Sequence, residues 1–185
     1  MKPKTFCAQV LCLALMLQAG CAIHAPVAHA ADSRIQVGFS PDAGAEALVL
    51  EVIASARHTI RLAGYLFTSR PIVGALVAAR RRGVDVRIVL DERGNRDAAS
   101  RSAIRRVASA GIPVRLISAY PIHHDKYIVV DGRSVETGSF NYTHAAAHAN
   151  SENVLVLWNN PQVAAQYLAH WESRWAQGVD VELAR

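Results

Sequence analysis

The sequence predicts one α/β domain built on a mixed, mostly parallel β-sheet with helices on both faces. Three observations lead there. Short apolar, β-rich segments alternate with stretches whose apolar residues recur three and four apart, the pattern of strand–helix–strand units. Asp131-Gly132 is a strong two-residue hairpin signal and breaks that rhythm. No internal repeat, linker or low-complexity stretch divides the chain.

The elements follow in order. Ile35 to Phe39 reads as a short strand, and Ser40-Pro41 as the opening of a helix with proline at its first position. That helix carries the stripe Ala45, Leu48, Val49, Val52, Ile53 and Ala56. Thr59 to Tyr65 is a strand. Ser69-Arg70-Pro71 starts a second helix, with Ile72, Leu76, Val77 and Ala79 inward and Gly83 closing it. Val84 to Leu90 is a buried strand ending in the polar loop Asp91 to Asn95, where sites commonly form. A third helix runs from Asp97 to Ala110, and Val114 to Ile117 is a strand. Lys126 to Val130 and Arg133 to Gly138 form the hairpin, and Thr143 to Asn150 is a polar, alanine-rich loop. Val154 to Trp158, wholly apolar, reads as a central strand. Asn160-Pro161 caps a last helix with Val163, Tyr167, Leu168, Trp171 and Trp175 on one side, where packing explains the two tryptophans better than base stacking does.

Residues 1–30 read as a secretory signal peptide. Lys2 and Lys4 precede a short apolar run from Phe6 to Leu17, and Ala28-His29-Ala30 makes a small-x-small cleavage site. The apolar run is short for a membrane anchor. Leu17 to Cys21 resembles a lipobox with Gln18 where an aliphatic residue belongs, a weaker reading. Cleavage after Ala30 leaves residues 31–185 as the domain, in the periplasm or secreted. Cys7, Cys12 and Cys21 all fall in the leader, so the mature fold rests on its core and not on disulfides.

Loss of Lys2 and Lys4 lowers the formal charge from +5 to +3, a mild surplus. Its distribution is uneven. Arg80, Arg81 and Arg82 are consecutive, and Arg87, Arg93, Arg96, Arg101, Arg105 and Arg106 follow closely. Such a field suits a polyanion. For most of these arginines a solvated helix face is the better explanation.

The chemistry concentrates between residues 124 and 152. His124, Lys126 and Asp131 spell H-x-K-x-x-x-x-D, with Gly138-Ser139-Phe140-Asn141 and Ser151-Glu152-Asn153 downstream. Residues two apart on a strand share a face, which pairs His124 with Lys126 and Ser139 with Asn141. An imidazole can attack phosphorus or protonate a leaving oxygen. Lys126 and Asn141 can hold non-bridging oxygens as charge builds. Glu152 is the candidate to orient the imidazole. Asp131 sits where Asp-Gly turns are favoured on backbone grounds, so structural and catalytic roles both stay open. His123 reads as a bystander. His144, His148 and His170 lack a metal-ligand spacing, and neither metal nor cofactor is expected.

The segment from His124 to Glu152 resembles the signature of the phospholipase D superfamily, with its downstream G-S-x-N and acidic residue. Val37 to Pro41, Arg80 to Val86, Asp91 to Asn95 and Ser151 to Asn153 extend the likeness to the small, secreted, single-motif bacterial endonucleases of that superfamily. The resemblance implies metal-free phosphodiester cleavage in two steps, through a phosphohistidine, with a second histidine as acid and then base. It implies His124, Lys126, Asp131, Ser139, Asn141 and Glu152 as site residues. Only one motif is present, so the resemblance also implies a half-site completed by a homodimer.

The expected function is therefore a sequence-nonspecific endonuclease acting on DNA, with RNA left open as a further substrate. The alternative is a phospholipase D acting on phosphatidyl head groups. A third reading, from another class, is a nucleic-acid or envelope binding protein with a vestigial site.

Overall fold

The structure is a computed structural model, described here for residues 33–182. The leader and its cleavage and lipidation motifs lie outside the described residues. Eight strands form one sheet in the order β1-β7-β6-β5-β2-β3-β4-β8. They are β1 (Arg34–Ser40), β2 (Thr59–Gly64), β3 (Asp85–Asp91), β4 (Val114–Ile117), β5 (Lys126–Val130), β6 (Ser134–Gly138), β7 (Glu152–Trp158) and β8 (Val179–Asp180). The helices are α1 (Ala45–Ser55), α2 (Arg70–Arg81), α3 (Ala98–Ser109), α4 (His144–His148) and α5 (Pro161–Gln177), with a 3₁₀ turn at Arg93–Asn95.

The α/β class and the mixed sheet agree with the expectation, but the sheet is mostly antiparallel. Only β2–β3 and β3–β4 pair in parallel. Those strands are joined by α2 and α3, and a helical crossover is what parallel neighbours need. From β5 onward the chain returns through hairpins, and β5, β6, β7 and β1 all pair antiparallel. β8, too short to read in the sequence, closes the far edge against β4.

Helices α1 to α3 cover one face. Their stripes (Leu48, Val49, Val52, Ile53; Ile72, Leu76, Val77; Ile104, Val107) bury against Ile60, Leu62, Val86, Ile88, Ile128 and Val156. Helix α5 alone covers the other face, over Ala63, Val89, Tyr127, Val129 and Val135. Trp171 is buried there, with its indole N–H donating to the Leu62 carbonyl at 2.9 Å. Trp175 stacks on it with ring centroids 5.0 Å apart, so both tryptophans pack the interior.

The starts and stops follow known chemistry. Ser69 caps α2 by accepting the Ile72 N–H, Asp97 caps α3, and Asn160 caps α5 with Pro161 in the first turn. Gly83 takes the left-handed conformation after α2, with φ 92°. Ser40-Pro41 does not open α1. The chain turns first through Asp42 and Gly44, and the helix begins at Ala45. Gly38 explains this return: a Cβ there would lie 2.9 Å from the Gly44 carbonyl, so β1 and the turn lie in contact.

β7 is not central. It lies next to the edge strand β1, and only alternate residues (Val154, Val156, Trp158) are buried. Leu155 and Leu157 are half-buried, with Leu157 packed against the margin of the α5 cluster. The stretch from Thr143 to Asn150, read as a loop, contains α4, capped by the Thr143 hydroxyl.

Candidate active site

One end of the sheet gathers the chemistry. Gly64, at the end of β2, pairs with Leu90 of β3 on one side and with Lys126, the first residue of β5, on the other. Gly138 ends β6 beside Val154, two residues into β7. Tyr65, Asp91, Lys126, Ser139 and Glu152 therefore emerge along a single rim. Gly138 leaves no room for a side chain, since a Cβ would fall 2.1 Å from the Asn153 carbonyl, which accepts the Ser139 N–H.

His124 is exposed on the loop before β5, and its ring lies 4.8 Å from the Tyr65 ring. Lys126 is buried below it. The ammonium donates to the His124 carbonyl at 2.9 Å and sits 5.4 Å from the Tyr65 ring centre. Burial pushes its pKa down, opposed by the carboxylates of Glu152 and Asp125. A partly desolvated ammonium gains more from an incoming anion than a hydrated one does.

Ser139 and Glu152 interlock. The Ser139 hydroxyl donates to Glu152 Oε2 at 2.6 Å and accepts from the Asn153 backbone N–H at 3.1 Å. Glu152 Oε1 accepts from Asn150 at 3.1 Å. Among the described residues, no hydrogen bond joins Glu152 to the His124 ring, so within one chain it does not orient the imidazole. Asn141 Oδ1 is buried without a partner. A buried acceptor in that state has a strong appetite for a donor.

Asp131 is not in the site. It stands at the opposite end of β5, where its carboxylate accepts the N–H groups of Arg57, His58 and Thr59 at 2.7–3.0 Å. Burial raises its pKa, but these three bonds outweigh it and hold the group below the ordinary carboxylate range. Within this chain it ties the start of β2 to the hairpin.

His123 is no bystander to the architecture. It is buried, and its N–H donates to Asp91 Oδ2 at 2.7 Å. Asp91 Oδ1 accepts the Gly94 N–H at 2.6 Å. Asn95 continues the clamp, accepting from Phe67 N–H and donating to the Tyr65 and Asp91 carbonyls. Asp91 and Asn95 thus tie the Tyr65 wall to the loop that presents His124. Gly94 sits so close that a Cβ would lie 2.8 Å from the Tyr65 ring. The sequence signal was present, as polar residues at the carboxyl end of a buried strand. Tyr65 offered none, because its partners are remote in the chain.

A cleft of about 420 Å³ opens beside the rim, lined by His124, Lys126, Thr137, Gly138, Tyr167 and His170 among others. Among the described residues no three His, Cys, Asp or Glu side chains converge as a metal site, and no helix is long and apolar enough to cross a membrane.

Residues 49–175 match the family described as "Cardiolipin synthase, PLD-like domain". The chain belongs to the phospholipase D-like family. This phospholipase D-like chain sits among hydrolases of phosphodiester bonds. It is 33% identical to a phospholipase D of Rickettsia bellii, over 83% of this chain and 75% of that protein. It is 33% identical to a mitochondrial cardiolipin hydrolase of Xenopus laevis, over 70% of this chain and 60% of that one. Among solved structures it is similar to Nuc, a phospholipase D family member from Salmonella typhimurium. That likeness has a TM-score of 0.81 and 52% identity, covering 82% of this chain and all of Nuc.

Proposed function

We propose that the protein is a metal-independent, sequence-nonspecific endonuclease that cleaves DNA, and RNA as a second substrate, in a site shared by two copies. The observation that carries the reading is the rim itself: an open imidazole, His124, above a buried ammonium, Lys126, that anchors its carbonyl. In the first step the His124 imidazole attacks phosphorus. A P–N bond forms, the P–O bond to the leaving group breaks, and the second copy's His124, as imidazolium, protonates the departing oxygen. In the second step that imidazole takes a proton from water, which attacks phosphorus and breaks the P–N bond. Lys126 and the Asn141 amide hold non-bridging oxygens. Ser139 and Glu152 brace the floor through their 2.6 Å bond.

The need for a second copy is supported by an uncovered face. Ile35, Val37 and Phe39 on β1 are 64%, 59% and 54% exposed. They lie in register with Leu157, Leu155 and Asn153 of β7, and the next pair, Ser40 with Glu152, is at the active rim. An apolar stripe of this kind marks an interaction surface, and two-fold packing on it would bring two rims together. The reading also carries export to the periplasm or beyond, on the strength of residues 1–30.

The second reading, phospholipase D activity on phosphatidyl head groups, is favoured by the names of the curated relatives and by exposed Ile122 on the loop before His124. One experiment separates the readings. Protein starting at Ala31 is incubated with plasmid DNA in excess EDTA, beside His124→Ala. Nicking by wild type alone is expected. Intact plasmid in both lanes, with wild type hydrolysing phosphatidylcholine vesicles, would transfer the assignment to the lipid. Retarded but uncut plasmid in both lanes would leave a binding protein.

A further inference from the structure

A second cleft lies between α2 and α3, on the face opposite α5. Its volume is about 460 Å³, and its lining includes Thr68, Arg70, Ala99, Ser102 and Arg106. No lining residue is acidic. Among the described residues, neither Arg70 nor Arg106 has an ion pair or a side-chain hydrogen bond. This sets them apart from Arg34, Arg61, Arg87, Arg96 and Arg115, all paired with carboxylates. Glu46, which accepts from the Ser69 hydroxyl at 2.9 Å, is not part of the lining.

The cleft is joined to the active rim. Thr68 and Ser69 donate their N–H groups to the Tyr142 carbonyl at 2.8 Å each, directly after Asn141. Tyr65, three residues before Thr68, packs on His124. On α3 the lining positions 99, 102, 103 and 106 form one helical stripe. It leads about 10 Å along the helix, from the rim end to Arg106.

We propose that this cleft is a backbone subsite of the nuclease, in which Arg70 and Arg106 each take a phosphate of the strand flanking the scissile bond. The proposal rests on the nuclease reading and deepens it. Two guanidiniums without a carboxylate partner, both lining one cleft that holds no acidic residue, fit a chain of regularly spaced anions. Such grooves hold single strands by charge without reading their sequence. An anionic membrane is the poorer occupant, because the lining between the arginines is recessed and carries small polar and alanine side chains instead of an apolar insertion surface.

The test compares two substrates in EDTA at 50 and 200 mM salt: a single-stranded 30-mer and bis(p-nitrophenyl) phosphate, which reaches the rim but not the cleft. The variants are Arg70→Ala/Arg106→Ala and, as control, Arg80→Ala/Arg81→Ala on the same helix. The first variant should raise KM for the oligonucleotide about tenfold. Its kcat, and its turnover of the small diester, should stay within twofold of wild type. The slope of log kcat/KM against log salt should flatten by about 1.4, since each single-strand phosphate contact contributes about 0.7. The control should leave KM and slope unchanged. An unaltered KM and slope in the first variant, an equal change in the control, or loss of binding to phosphatidylglycerol vesicles in place of the oligonucleotide would overturn the subsite. A wild type that hydrolyses the small diester and leaves the oligonucleotide intact would instead defeat the nuclease reading beneath it.

Discussion

Asp131 separates what a motif records from what a reaction uses. Its carboxylate receives three backbone N–H groups at the start of β2, in short, charge-assisted bonds. Asp131→Ala removes these bonds, two of them from exposed donors that water can satisfy, and should cost about 1–1.5 kcal/mol of stability. Turnover per folded molecule should persist at 25 °C. Urea unfolding beside plasmid nicking checks this, and a variant with full stability and no turnover would return Asp131 to the chemistry. At this scale the sequence was partly legible. His124 and Lys126 were readable from their motif, although only Lys126 stands on β5 and His124 lies on the loop before it. Tyr65 was not, and Asp91 and Asn95 were legible only as a polar loop, since their partners lie some thirty residues away in the chain.

Strand β6 carries a second decision in Glu136. It is fully buried beneath the rim, bonded by the Tyr142 hydroxyl at 3.0 Å, with its other oxygen unpartnered. Burial pushes its pKa from the ordinary 4.5 up to about 8. The folded state therefore binds this proton more tightly than the unfolded chain does. The resulting stability is complete below about 4.5 and is lost as pH rises through about 8. Melting temperatures between pH 5 and 9 should fall on the alkaline side, and Glu136→Gln should flatten that fall. A wild-type profile that does not decline over this window would sink the assignment. Elements were read well where caps, stripes and the Asp131-Gly132 turn carried local signals. Strand direction was misjudged because pairing is decided by what lies between strands. β8 and α4 were missed because two and five residues leave too little periodicity to detect.

For the whole molecule, the uncovered β1–β7 face decides whether one chain suffices. Val37→Lys/Leu155→Lys puts two ammonium groups on that face without touching the buried side of either strand. Light scattering should report a monomer in place of a dimer. Circular dichroism should be unchanged, and nicking should drop at least tenfold. Full activity from a monomeric wild type would dismiss the shared site. The sequence could count one motif per chain, yet it could not locate this face. It read β7 as a central strand, whereas β7 lies beside the edge strand β1.

The Asp91–Asn95 clamp has a consequence in time. It holds the amide hydrogens of Phe67, Gly94 and His123, from three separate stretches of chain, on two side chains that are themselves buried. None of these hydrogens reaches water until the carboxylate and the amide let go, and both sit between β3 and the His124 loop. These three amides are therefore expected to exchange with solvent together. Between openings the rim's two walls keep a fixed separation, so each phosphodiester meets the same site as the one before it.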